Sequence, residues 1–253
     1  MIRLRWLLPL VLVALGLFVQ KDAGAHPLGN FTVNHYSRIE FADDAARVTY
    51  VLDLAEIPTL QQKGRLDTDG DGDLSAAEAD AYLDAEMPSL ARNLRLEVGG
   101  EALPLRVLDR SAAFVPGQGG LPTLRIEADL RADLPAGWKD GAGRYTDGNY
   151  EASQGWREIV VRGGRGIAVK DSTVPAADAS KGLRSYPRDS LSSAPDDRQA
   201  RFVLVPGDGT TGEGAGHVGE NDGGGTERLA GLISAHRLSV SVVALSVVAA
   251  FSA

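Results

Sequence analysis

The stretch that decides the fold is Phe31-Thr-Val-Asn-His-Tyr-Ser-Arg-Ile-Glu-Phe41, followed after a short gap by Arg47-Val-Thr-Tyr-Val-Leu-Asp-Leu54. Apolar residues alternate with polar ones in both segments. Because successive side chains of a strand point to opposite faces, this period of two predicts two half-buried β-strands. Asp43 and Asp44 lie between the segments and favour a turn. The sequence therefore predicts a β-hairpin.

Similar short segments recur along the rest of the chain, with glycine and proline between them. They are Leu94–Val98, Leu103–Leu108, Leu124–Leu130, Glu158–Val161, Gly166–Lys170 and Arg201–Val205. This spacing is typical of a mainly β protein, and we predict an antiparallel β-sandwich-like domain. The segment Ser172–Ala200 is rich in Ser, Pro, Ala and Asp, which indicates a long irregular loop.

One helical segment interrupts the strands. Apolar residues recur at near-helical spacing over Ser75–Asn93, although Pro88 is expected to end or kink that helix. The preceding segment Ile57–Leu66 contains Pro58 and Gly64, so we expect at most a short helix there.

Between these two segments lies a twelve-residue stretch, Asp67-Thr-Asp-Gly-Asp-Gly-Asp-Leu-Ser-Ala-Ala-Glu78, that fits an EF-hand calcium loop. Carboxylates occupy positions 1, 3 and 5, because a hard cation requires oxygen ligands in place of its hydration shell. Gly72 stands at position 6, where the chain turns sharply. The predicted calcium ligands are Asp67, Asp69, Asp71, Asp73 through its backbone carbonyl, Ser75 through a water molecule, and Glu78.

The alternative for this stretch is a metal-free acidic loop, in which Ser75 and Glu78 form a capping box at the start of the helix. We favour calcium, because converging carboxylates repel one another unless a cation offsets their charge. Sensor EF-hands usually occur in pairs, whereas this sequence has one such loop. A structural site of modest affinity is therefore the expectation.

Histidine offers a second, speculative metal site. After cleavage of a leader peptide, the α-amine and imidazole of His26 could chelate a copper or nickel ion, with His35 as a further ligand. His35 lies on the same face as Val33 and Ile39, so the alternative is a half-buried histidine paired with a polar group in the core. The alternative for His26 is an exposed first residue.

The composition excludes several classes of function. The chain of 253 residues has a formal net charge of −8 and no cysteine. Without cysteine there is no disulfide, no thiol nucleophile and no Cys-based zinc or iron–sulfur site. The acidic charge argues against a nucleic-acid partner and favours cations. No Gly-x-Ser-x-Gly elbow, phosphate-binding loop or HExxH motif is present, and we predict that the protein is not an enzyme.

The first residues predict export. Two arginines precede the apolar run Trp6–Val19, and Ala23-Gly-Ala25 supplies small residues for cleavage. This pattern predicts that residues 1–25 are a signal peptide. An uncleaved anchor is the alternative, but the run of 14 residues is shorter than the roughly 20 that span a membrane. The domain over 26–205 is therefore expected on the extracytoplasmic face of the cytoplasmic membrane.

The last part of the sequence predicts a tether. Nine of the twenty residues in Pro206–Gly225 are glycine, which indicates a flexible linker over residues 206–228. Residues 229–253 then end in the uncharged run Leu238–Ala253, and we expect the start of a truncated transmembrane segment. The alternative is a buried helix of the soluble domain.

Several phrases of the sequence resemble one known family. They are Ala25–Glu40, Tyr50–Thr59, the EF-hand loop, Gly155–Val161 and the stretch from Tyr186-Pro to Leu191-Ser-Ser. Together they look like the exported N-terminal domain of bacterial nickel/cobalt transporters of the NicO type. The resemblance implies a polytopic permease that carries metal through His and Asp residues, including a Gly-His-Gly-Lys type motif, and this motif is absent from the sequence. The resemblance thus covers the exported domain and not the permease.

The sequence supports three hypotheses of function. The first is a calcium-binding extracytoplasmic domain of a nickel/cobalt transporter, structural or regulatory, with metal ions and a membrane permease as partners. The second is an exported copper- or nickel-binding protein that uses His26 and His35. The third is a calcium-stabilised surface adhesion module.

Overall fold

A computed structural model describes residues 28–210 apart from Ala136, Lys139 and Asp208. The predicted signal peptide, His26, nearly all of the predicted linker and the predicted transmembrane segment lie outside these residues. Within them no helix is long and apolar enough to cross a membrane.

The described chain forms eleven strands, two α-helices and two short 3₁₀ turns at Gln118–Gly120 and Arg188–Ser193. The helices are α1 (Glu56–Leu66) and α2 (Ala76–Asn93). The strands are β1 (Val33–Ala42), β2 (Ala45–Leu54), β3 (Leu94–Val98), β4 (Glu101–Leu103), β5 (Arg106–Pro116), β6 (Pro122–Asp133), β7 (Gly141–Asp147), β8 (Arg157–Gly163), β9 (Ile167–Lys170), β10 (Gln199–Pro206) and β11 (Gly209–Thr210).

The strands form two sheets, which confirms the mainly β prediction. The first sheet has the order β5-β6-β2-β1-β8 and the second the order β11-β9-β10-β7-β3-β4. Buried residues of both sheets and of both helices belong to one hydrophobic core. The antiparallel prediction is wrong for two pairs, because β1 pairs with β8, and β11 with β9, in parallel. Strands β10 and β11 also extend into the first residues of the predicted linker.

The predicted hairpin is present, with Val33 opposite Leu54 and Ala42 opposite Ala45. The prediction that its first strand is half-buried is wrong, because the first five residues of β1 are all buried. The long segment between β9 and β10 covers the face of β1 that points away from the main core. Tyr36 packs there with Trp156 and Leu183 in a small second core.

Both helices are longer than the sequence patterns indicate. Pro58 lies in the first turn of α1, where no intrahelical N–H bond is lost, so the helix extends over 11 residues. Helix α2 continues past Pro88 to Asn93. A proline in a helix interior costs about 3 kcal/mol. Met87 and Leu90 are buried on either side of it, and burial stabilises by about 1.5–3 kcal/mol for each such side chain, so packing outweighs the cost.

Two strand predictions required a correction. The predicted strand Leu103–Leu108 is divided at Pro104 into β4 and the much longer β5. Strand β7 is absent from the predicted strands, because the pattern Asp147-Gly-Asn149 at its end indicates a turn. The predicted irregular loop Ser172–Ala200 contains no strand before Gln199, which agrees with its composition.

Candidate functional site: an acidic loop between two helices

The predicted calcium loop connects α1 to α2. Asp67 follows the last residue of α1, and its backbone N–H donates to the carbonyl of Lys63 at 2.9 Å. At the other end Ser75 is the N-cap of α2. Gly72 has φ of +93°, a left-handed conformation that side chains with Cβ resist. The requirement for glycine at the sixth loop position is therefore met.

Three of the predicted ligands converge. Carboxylate oxygens of Asp67, Asp69 and Asp71 lie within 4.8 Å of one another. Asp67 is 6% exposed, whereas the other two are at the surface. Such a group is open to solvent on one side and has a buried anion on the other, which suits a hard cation that retains water.

The Asp67 carboxylate has one satisfied and one unsatisfied oxygen. Its Oδ2 accepts from the backbone N–H of Gly72 at 3.1 Å and lies 3.4 Å from Lys63 Nζ. Its Oδ1 is buried and has no hydrogen-bond partner. A buried oxygen without a partner costs free energy, and more so when it carries charge. A cation bound at this oxygen would remove that cost, so the three aspartates could hold a metal ion.

Short local hydrogen bonds hold the rest of the loop. The backbone N–H of Asp71 donates to Asp69 Oδ1 at 3.2 Å, and that of Asp73 donates to Asp71 Oδ1 at 2.8 Å. These turns use aspartate side chains in the manner typical of Asx-turns. The side chain of Asp73 is exposed and is not part of the converging group.

Glu78, the predicted closing ligand, is not in the converging group either. Its Oε2 accepts from the Ser75 hydroxyl at 2.8 Å and from the Ser75 N–H at 3.0 Å. Its Oε1 accepts from the N–H and hydroxyl of Thr68 at 2.6 and 2.9 Å. The bonds from Ser75, followed by those from Thr68, lower the pKa of Glu78 to about 2. The capping box of the metal-free alternative is therefore present, and Glu78 would have to give up hydrogen bonds to close on a cation.

His35 lies in a separate inter-sheet polar cluster formed by His35, Tyr50, Asp147, Asn149 and Arg157, all at most 3% exposed. His35 Nδ1 is 2.7 Å from Asp147 Oδ2. Burial lowers the pKa of His35, and the hydrogen bond with Asp147 opposes this shift in part. The pairing with a core polar group that the alternative predicted is present, but His35 is fully buried rather than half-buried. His26 lies outside the described residues, so the transition-metal site stays a prediction.

The cluster joins the two sheets. Arg157 of β8 donates from Nη2 to the carbonyl of Tyr150 at 2.6 Å and from both Nη atoms to that of Asn149 at 3.3 Å. Asn149 donates to the Tyr50 hydroxyl at 3.1 Å. The sequence does not indicate Asp147 and Asn149 as members of this cluster, because the pattern Asp147-Gly-Asn149 indicates only a turn. The residues that they contact, His35 and Tyr50, are distant in sequence, so no local signal could have identified the cluster.

Comparison of the chain with protein-family models, with curated proteins and with solved structures found no match. A function for the chain must therefore be argued from its own residues. The acidic loop has three converging carboxylates that could hold a metal ion. The inter-sheet polar cluster is enclosed, and internal hydrogen bonds join its members, although the buried His35 Nε2 and Arg157 Nε have no hydrogen-bond partner.

Proposed function

We propose that the chain is an exported, extracytoplasmic calcium-binding domain associated with a nickel/cobalt transporter, and that it has a structural or regulatory role rather than a catalytic one. The observation that carries the calcium proposal is the buried, unpartnered Oδ1 of Asp67 beside the carboxylates of Asp69 and Asp71. The association with a transporter is supported by the resemblance of the sequence phrases to the NicO-type exported domain.

The ligand chemistry favours calcium among the common cations. Calcium accepts six to eight oxygen ligands in flexible geometry, whereas magnesium requires a near-ideal octahedron. Carboxylates of Asp67, Asp69 and Asp71, the carbonyl of Asp73 and the carboxylate of Glu78 would supply such a set. No histidine or cysteine belongs to the converging group, so softer transition metals find no preferred ligand there.

A structural role follows from what the loop connects. Leu66, the last residue of α1, and Leu83 of α2 are both fully buried in the shared core. The loop therefore fixes the relative positions of two helices that pack under the sheets. A cation that binds the folded state and not the unfolded chain stabilises the fold by mass action.

Calcium titration of the chelator-treated protein by calorimetry tests this proposal. We expect one calcium ion to bind, with a dissociation constant of about 10⁻⁴ to 10⁻³ M. Glu78→Gln removes a charge and a bidentate ligand, and should weaken binding by at least about tenfold. Asp80→Asn is the matched control, because this exposed carboxylate of α2 lies outside the loop. Its affinity should stay within about twofold of the wild type.

The proposal fails if the protein shows no binding heat up to about 10 mM calcium, ten times the upper end of that range. It also fails if Glu78→Gln and Asp80→Asn change the affinity equally. The transporter association is tested separately by co-purification of the tagged chain with a permease of the NicO type.

A further inference from the structure

Strand β5 is a terminal strand of the first sheet and pairs on one side only, with β6. At its end the N–H of Gly117 donates to the carbonyl of Leu121 at 3.0 Å, on the β6 side. Because the hydrogen-bonding direction alternates along an antiparallel strand, Ala112 and Phe114 direct their N–H and C=O groups away from β6. These groups have no backbone partner within the described part of the chain.

The same edge carries most of the exposed apolar surface. Six large hydrophobic residues are exposed among the described residues. Four of these lie on β5 or in the connection between β5 and β6, with exposed fractions between 37% and 54%: Val107, Leu108, Val115 and Leu121. A long edge strand with exposed apolar residues is normally protected from pairing by charges. Its exposure here indicates an interaction surface.

Both arginines of β5 are paired with carboxylates within the chain. Arg106 forms an ion pair with Asp133, and Arg110 forms one with Asp84 of α2. The carboxylate of Asp109 accepts from the backbone N–H of Arg110 at 2.9 Å. This bond also indicates that the Arg110 N–H points away from β6. In the described part of the chain Asp109 forms no ion pair, so it is the one charge of β5 that an approaching strand would meet without an opposite charge beside it.

The sequence of β5 is complementary to itself. In Val107-Leu-Asp-Arg-Ser-Ala-Ala-Phe-Val115, apolar pairs flank a central Ser111 at equal distances. If two copies of β5 run antiparallel with Ser111 opposite Ser111, the apolar pair Phe114-Val115 of one copy lies beside the apolar pair Val107-Leu108 of the other at both ends. This register also places Arg110 opposite Ala112, and in a hydrogen-bonded pair the Arg110 N–H would exchange the Asp109 carboxylate for the Ala112 carbonyl of the second copy.

We propose that two copies of this protein associate through β5, so that the five-stranded sheets of both copies form one continuous sheet across a two-fold axis. Regular pairing extends over Asp109–Ala113 of both copies, because the residues opposite Phe114 and Val115 lie at the irregularity between Val107 and Asp109. Beyond that irregularity Val107 and Leu108 contribute side-chain contacts. They also border a groove lined by Met87 and Pro88 of α2.

The test uses charge at the two-fold axis and sedimentation of the full chain. Ser111 is exposed, so Ser111→Lys and Ser111→Glu should leave the fold intact, as circular dichroism would verify. Each variant alone places like charges opposite each other and should raise the dimer dissociation constant more than about tenfold. An equimolar mixture of the two variants should restore the dimer, because the charges are then opposite.

Ala113→Lys is the matched control. It adds the same charge two residues away on the same exposed face, but it faces Asp109 of the second copy in the proposed register. Its dimer should be as tight as that of the wild type or tighter. A wild-type monomer at about 100 μM, far above the Kd of standard interfaces, would overturn the proposal. So would a Ser111→Lys dimer, or a mixture of the charge variants that stays monomeric.

Discussion

At the scale of single residues, the most informative side chain is Glu78, because its carboxylate faces hydrogen-bond donors rather than the aspartates. Both oxygens are occupied by Ser75 and Thr68. Calcium would have to compete with these donors. The free energy of binding therefore depends on how strongly the metal-free loop holds Glu78.

Thr68→Val tests this competition. The variant removes the hydroxyl that donates to Glu78 Oε1 at 2.9 Å and keeps the shape of the side chain. Since a hydrogen bond to a charged group is lost only from the metal-free state, the affinity for calcium should rise about three- to tenfold. Calorimetric titration measures the change. Thr146→Val removes a hydroxyl bonded to Gln199 in the sheet and should not alter the affinity. An unchanged affinity in Thr68→Val would mean that Glu78 binds calcium without releasing Thr68.

A second prediction at this scale concerns His35. Because burial lowers its pKa, His35 takes up a proton at a lower pH in the folded protein than in the unfolded chain, where the ordinary value is 6.5. Stability is then fully present above pH 6.5 and falls as the pH decreases, by at most about 1.4 kcal/mol per pH unit. Urea unfolding at pH 7.0, 6.0 and 5.5 measures this slope, which His35→Gln should abolish over the same range. An equal slope in both proteins would assign the pH dependence to other groups.

At the scale of the elements, two glycines in regular structure should respond in opposite ways to alanine. A Cβ at Gly64 of α1 meets no atom within 4 Å, whereas a Cβ at Gly143 of β7 would lie 2.1 Å from the Phe202 ring. Gly64→Ala should stabilise the protein by about 0.5–1 kcal/mol, since alanine favours helix. Gly143→Ala should destabilise it by about 1–3 kcal/mol through overpacking. Thermal unfolding of both variants measures these changes in stability. Destabilisation by Gly64→Ala would contradict the helical assignment of this position.

The predictability of each element depended on how local its determinants are. The β1–β2 hairpin and the acidic loop were recognised, because alternation in Phe31–Phe41 and spacing in Asp67–Glu78 are properties of contiguous residues. The direction of β8 was not predictable, since its pairing with β1 depends on residues more than a hundred positions apart. The prediction of a helix end at Pro88 was wrong for a related reason. Buried neighbours of Pro88 stabilise the helix, and helix propensity does not include burial.

In the candidate site, too, the features set by contiguous residues were predictable and those set by distant residues or by the backbone path were not. The three converging aspartates follow from the loop spacing, and the spacing also identified Glu78 and Ser75. The orientation of the Glu78 carboxylate toward Thr68 did not follow, because it depends on the backbone path of the loop. In the inter-sheet polar cluster, the sequence predicted that His35 pairs with a polar group, but it did not identify Asp147 as that group.

At the scale of the whole molecule, calcium should act on the entire fold. Helices α1 and α2 share one hydrophobic core with both sheets, so we expect a single unfolding transition rather than separate melting of the loop. A hundredfold excess of calcium over Kd adds about 2.7 kcal/mol, which corresponds to a Tm increase of about 5–10 °C for a domain of this size. Calorimetric scans with calcium and with chelator measure the shift. A transition that calcium leaves unmoved would contradict this coupling.

The parallel pairing of β1 with β8 has a consequence for how quickly the protein reaches its native state. His35 and Arg157, which are register partners, are separated by 122 residues. Closing so long a stretch of chain is entropically costly before any contact rewards it, and topologies of this kind fold in milliseconds to seconds, by order of magnitude. Helices such as α1 and α2 form within roughly a microsecond. The slow step of folding is therefore expected to be the arrival of β8 beside β1, long after the acidic loop has taken shape.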